Sequence, residues 1–158
     1  YEIAIPNPCS LEMVSHNGSV TARSTQGSVH CESHNGWIEV DGCEGPIVAK
    51  SHNGNLTVRQ FTGNLEATTN NGSVTLVQAP QAAPAARVQA VSHNGSVRLT
   101  SAPGLSARVS LKPHNGSIHT SRPILVAGKI DRSQLKGTIG TGTGEVTLET
   151  HNGSITLE

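Results

Sequence analysis

Apolar residues recur at every second position in short runs, and polar turns separate one run from the next. Val20 and Ala22 share one side of their run, while Ser19, Thr21 and Arg23 share the other. The same phase pairs Ile38 with Val40, Leu56 with Val58, Val74 with Leu76, and Val97 with Leu99. A second series keeps it too: Val29 and Cys31, Ile47 and Ala49, Leu65 and Ala67, Val88 and Ala90, Val109 and Leu111, Val146 and Leu148. A period of two predicts half-buried β-strands, because successive side chains point to opposite faces. A slip of one residue would turn every apolar side chain to solvent. No stretch predicts a helix.

The turns repeat as well. Asn-Gly falls at Asn17-Gly18, Asn35-Gly36, Asn53-Gly54, Asn71-Gly72, Asn94-Gly95, Asn115-Gly116 and Asn152-Gly153. The first three steps are 18 residues, the next two 23 and 21, and the last 37. That last gap contains a degenerate copy at Leu135-Lys136-Gly137-Thr138-Ile139. Weaker glycine turns, such as Thr25-Gln26-Gly27 and Thr62-Gly63-Asn64, lie between the Asn-Gly turns. One unit therefore reads turn, strand, turn, strand. Asn-Gly is also the strongest hairpin signal, so an antiparallel meander is the rival. Two different turns per unit, and like residues at like positions, favour coils stacked about 4.8 Å apart with parallel strands. The predicted fold is all-β, a single-stranded parallel β-solenoid (β-helix) of about 18 residues per coil and roughly eight coils.

Residues 1–158 are read as one domain, with loop insertions near 79–87, 101–107 and 122–136. The first is Pro/Ala-rich and expected to be an exposed loop. In the third, Ile124-Leu125-Val126 is expected to cover an apolar edge.

Composition narrows the function classes. Acidic and basic residues balance at 11 each, and Tyr1, Trp37 and Phe61 are the only aromatic rings. A nucleic-acid binder usually carries a basic excess and rings to stack on, so none is expected as partner. No run of about 20 apolar residues predicts a transmembrane segment. No signal peptide is seen, and a start at Tyr1 reads as a processed or trimmed product. The three cysteines, Cys9, Cys31 and Cys43, fit no common zinc spacing and admit at most one disulfide, between two of the three.

Recurrent S/T-x-N-G-x-V/I/L units with weaker glycine turns between them resemble bacterial putative-adhesin domains, cell-surface or exported β-solenoids of largely unassigned function. The resemblance runs from about Leu11 to Glu158. It implies a secreted or cell-surface (extracellular) location, a structural or adhesive role, no catalytic residues and no small-molecule cofactor. The expected partners are the chain itself, as an end-to-end homopolymer, or cell-surface and matrix components. The fibre contact is expected between C-terminal and N-terminal coils, since Ser154-Ile155-Thr156-Leu157-Glu158 keep the repeat phase and neither end shows a cap.

The Asn-Gly pairs are expected to form a structural turn ladder, with glycine taking positive φ and stacked Asn amides bonding from coil to coil. The Ser or Thr before each pair should point inward and satisfy turn amides. The residue before the Asn is His16, His34, His52, His93, His114 and His151, with Asn70 interrupting the row. Such a row is an alternative function in itself, a surface binding protons or a divalent transition metal, since imidazole suits Zn²⁺, Ni²⁺ and Cu²⁺. Charged rings stacked at that spacing repel, so acidification is expected to loosen the fold. Six sequons, five of them within the turns themselves, are read as by-products of the repeat. Trp37 sits on the outward phase, where it would seat a sugar or partner surface or else be covered by a neighbour. Glu39, Asp41 and Glu44 form the only dense acidic group, read as a solvated edge. A carbohydrate-binding or carbohydrate-active β-helix is thus the remote alternative, and no enzyme is expected.

Overall fold

The structure is a computed structural model that describes residues 8–126 and 134–158. Residues 1–7, and residues 127–133 of the third insertion, lie outside the described residues.

Each repeat unit folds into two short strands joined at its Asn-Gly turn. The first six units give β1 (Leu11–Ser15) with β2 (Val20–Arg23), β3 (Val29–Asn35) with β4 (Ile38–Asp41), β5 (Ile47–Asn53) with β6 (Leu56–Phe61), β7 (Leu65–Asn71) with β8 (Val74–Gln78), β9 (Arg87–Asn94) with β10 (Val97–Thr100), and β11 (Ala107–Asn115) with β12 (Ile118–Thr120). The strand β13 (Leu135–Ile139) follows alone, and β14 (Gly144–Asn152) with β15 (Ile155–Leu157) makes the seventh coil. The odd-numbered strands through β11, with β14 and β13, form an eight-stranded sheet, and their partners form a seven-stranded one. The architecture is therefore all-β and β-solenoid-like, but it is built as two facing sheets. Seven two-strand coils replace the single-stranded solenoid of eight coils.

Pairing between coils is parallel and in register. Val29 lies between Leu11 and Ile47, and Val40 lies between Ala22 and Val58. The inward phase read from the sequence is the phase that is buried. Val29, Ile38, Val40, Ile47, Leu56 and Val58 are at most 1% exposed and, with their equivalents, form one continuous core. Each such side chain contributes about 1.5–3 kcal/mol. Aliphatic rows suffice because facing sheets pack only about 10 Å apart. Among the described residues Phe61 is the single large ring in this core.

Chain order and spatial order part company in the second half. The large sheet runs β1-β3-β5-β7-β9-β14-β11-β13, and the other runs β2-β4-β6-β8-β10-β15-β12. The seventh coil thus slots between the fifth and sixth. Val146 pairs with Val88 on one side and Val109 on the other. Ile155 likewise lies between Val97 and Ile118. The C-terminal coil expected to form the end of the stack is interior.

The degenerate copy at Leu135–Ile139 is not a coil either. As β13 it pairs antiparallel with the outer edge of β11, Leu111 opposite Leu135 and Ala107 opposite Ile139. Leu125 closes on it through two backbone hydrogen bonds with Thr138, both 2.9 Å, and Ile124 packs against the core. Ile124 thus covers an apolar edge as expected, while Leu125 stays 78% exposed. The Pro/Ala-rich insertion is only partly the exposed loop expected: Ala79, Ala82 and Ala86 tuck beneath it and are buried.

Candidate functional site

The Asn-Gly corner is where sequence and structure concentrate the same chemistry in every coil. The Asn side chains form an unbroken amide ladder. Asn35 Nδ2 donates to Asn17 Oδ1 at 2.9 Å, Asn53 to Asn35 at 2.9 Å, and Asn71 to Asn53 at 2.8 Å. Asn94 donates to Asn71, Asn152 to Asn94, and Asn115 to Asn152, at 2.8, 2.8 and 2.9 Å. All point the same way, so the ladder is polar along the stack. A second ladder lies beneath it. Ser33, Ser51, Thr69, Ser92 and Thr150 are buried, and their hydroxyls donate to the carbonyls of Gly18, Gly36, Gly54, Gly72 and Gly95. The inward placement was legible; the acceptor is a neighbouring glycine carbonyl, where a turn amide had been expected.

The glycine has a different reason from the one the sequence suggests. Of the seven, only Gly95 and Gly153 carry positive φ. What all but the first share is close approach: a Cβ on Gly36, Gly54, Gly72, Gly95, Gly153 or Gly116 would strike the carbonyl of the glycine in the adjacent coil. Gly18, at the end of the stack, would meet only the Ser15 hydroxyl, at 3.1 Å. Hairpin geometry is absent here because each turn joins two sheets. The left-handed backbone lies instead at another corner, at Ser24 (φ 54°), Gly42 (φ 67°) and Gln60 (φ 53°).

All six histidines of the row are exposed. His16, His34 and His52 stack with centroids 5.0 and 4.9 Å apart and planes 4° and 2° from parallel. Asn70 ends that run, its Nδ2 lying 3.1 Å from His52 Nδ1. His151 then stacks on His93 at 4.7 Å and meets His114 at 4.9 Å with a 32° tilt. Imidazole lone pairs lie in the ring plane, so parallel rings aim them side by side. A Zn²⁺ ion held at about 2.0–2.1 Å from each of two nitrogens needs those nitrogens within about 4.2 Å and converging. These rings would have to turn out of the stack to share an ion.

The remaining candidates are dispersed. Cys9, Cys31 and Cys43 are all free thiols, so no disulfide joins any two of them. Cys31 and Cys43 are buried in the core. Burial, with the neighbouring Cys43 thiol, pushes the Cys31 thiol up to about 12, and burial raises Cys43 as well. Both stay protonated at neutral pH, which makes them poor nucleophiles. Trp37 is 48% exposed. Glu39 pairs with Arg59 at 3.6 Å, Asp41 is half-buried beside it on β4, and Glu44 lies exposed at the next corner.

Sequence reasoning missed one feature of the capped end. Arg108 and Lys112 on β11 and Lys136 on β13 face outward together, and only the antiparallel pairing of β13 brings Lys136 to them.

Compared with protein families, residues 10–158 match the family described as Toastrack DUF4097. No curated protein and no solved structure matches the chain. The match replaces the resemblance to bacterial putative-adhesin domains, and its description carries no adhesive role.

Proposed function

The chain belongs to the Toastrack DUF4097 family, and from that premise we propose that it is a structural module, a stiff stack that pairs with a second copy through its first coil. The observation that carries this reading is the unbroken Asn ladder through every coil, because it fixes the register of the whole stack. A polar ladder also leaves its ends unequal. Among the described residues, β1 and β2 have a neighbour on one side only. Such an edge is a ready template for another strand. At the other end β13 covers Ala107–Leu111 in reverse direction. The contact expected from the sequence, C-terminal coil on N-terminal coil, is lost because that coil is interior. Pairing of two first coils about a two-fold axis closes on itself and stops at a dimer.

Sedimentation equilibrium over a concentration series tests it. The expected result is a monomer–dimer equilibrium that Val14→Pro on β1 abolishes, since proline removes an edge donor. Monomer at all concentrations, or an open-ended polymer, contradicts the reading. Metal binding along the histidine row is the less favoured reading, because the parallel rings must first unstack.

A further inference from the structure

We propose that the capped end carries a binding groove for an acidic polysaccharide, a linear sugar chain bearing carboxylate or sulfate groups. Two adjoining depressions meet there on the outer face of the large sheet. One, of about 490 Å³, is lined by Arg108, Ser110, Lys136, Gly137, Glu145 and Thr147 among others. The other, of about 410 Å³, is lined by Lys112, Pro113, His114, Gln134 and Lys136. Lys136 belongs to both, so they form one groove along the β11–β13 seam.

The register makes the cation array. Ser110 and Lys136 are directly opposed, and Arg108 and Lys112 lie two residues to either side of Ser110 on β11. Directly opposed residues share a face, and diagonal neighbours in an antiparallel pair sit about 7–8 Å apart. Arg108 and Lys112, four residues apart along one strand, are separated by about 13 Å. Three cations thus mark out an extended track, which His114 continues.

These cations are not spent on neighbours. Among the described residues the ion pairs are Arg59–Glu39 and Arg87–Glu145, the latter at 3.6 Å. Glu145 and Glu149 stand beside Arg108 and Lys112 in register, yet neither forms an ion pair with them. The far end of the same face has the opposite balance, with Glu12, Glu32 and Glu66 outward against Lys50. The chain is neutral overall, with 11 basic and 11 acidic residues. The positive charge is therefore local to the place where a non-repeat strand interrupts the coils.

The lining selects the class of polyanion. Among the described residues the His114 imidazole is the one aromatic ring on the groove, and it already packs against His151, so successive bases of a nucleic acid have no row of rings to stack on. Ser110, Thr147 and Gln134 offer hydroxyl and amide groups suited to sugar hydroxyls, while Lys and Arg meet acidic groups in charge-assisted bonds. The groove is open and shallow, as a chain lying along it requires.

The test is fluorescence anisotropy on the full chain at low ionic strength. The probes are labelled oligogalacturonate for carboxylate, dextran sulfate for sulfate, neutral dextran, and single-stranded DNA of equal charge. At least one acidic glycan should bind, neutral dextran should not, and DNA should bind more weakly. Lys136→Glu and Arg108→Glu should each weaken binding about tenfold or more, whereas Lys50→Glu should change it by less than about twofold. All three positions are exposed, and unchanged melting curves confirm folded variants. The proposal is overturned if neither acidic glycan binds, if Lys50→Glu weakens binding as much as Lys136→Glu, or if DNA binds as tightly as the glycan.

Discussion

The first five coils and the last two are made of the same unit, but only the first five stack in chain order. From β1 to β10 each coil rests on the one before it, and ladder partners are 18 residues apart, 23 at the last step. Beyond β10 the same bonds join residues 58 and 37 apart, at the same lengths of 2.8–2.9 Å. The ladder is indifferent to the path of the chain. Closing 58 residues instead of 18 costs only about 1 kcal/mol more in loop entropy. Against that, Val146, Leu148, Ile155 and Leu157 become fully buried in the interior coil, each contributing about 1.5–3 kcal/mol. Two-sided burial outweighs the detour.

The contrast can be broken hardest at the glycines. Gly153→Ala drives a Cβ into the Gly95 carbonyl inside the stack, and Gly36→Ala does the same in the regular half. Each should cost about 3 kcal/mol, while Gly18→Ala at the open end should cost less than about 1 kcal/mol. Urea unfolding of the three variants checks this, and equal losses would show that close approach is not the reason for glycine.

The Asn ladder comes next. Asn152→Ala removes two amide bonds and Asn17→Ala one. Expected losses are about 2 and 1 kcal/mol. If the interior coil were loosely held, the two would cost the same.

A smaller effect runs the other way. Gln60 is exposed and holds a left-handed backbone where the equivalent Gly42 needs no side chain. Gln60→Gly should stabilise the regular half by about 0.5–1 kcal/mol, with a correspondingly higher Tm.

Much of this was legible in the sequence because phase is local. Val20, Ile38 and Leu56 reveal their inward side through the polar residues beside them, and the repeated Asn announces its own ladder. The order of coils was not legible, since the units around Asn94, Asn115 and Asn152 are chemically interchangeable and any can stack on any. The strand Leu135–Ile139 misled for a related reason. Alternation survives reversal of direction, so an antiparallel cap and a seventh parallel copy look alike in sequence. The groove stayed hidden with it, because Lys136 meets Arg108 and Lys112 only through that reversed pairing.

The central claim is that the last coil lies between the fifth and the sixth. Backbone nuclear Overhauser contacts test it directly. The strand around Leu148 should show cross-strand contacts to Ala90 on one side and Leu111 on the other. Direct contacts between the strands around Ala90 and Leu111, with the Leu148 strand outside them, would contradict it.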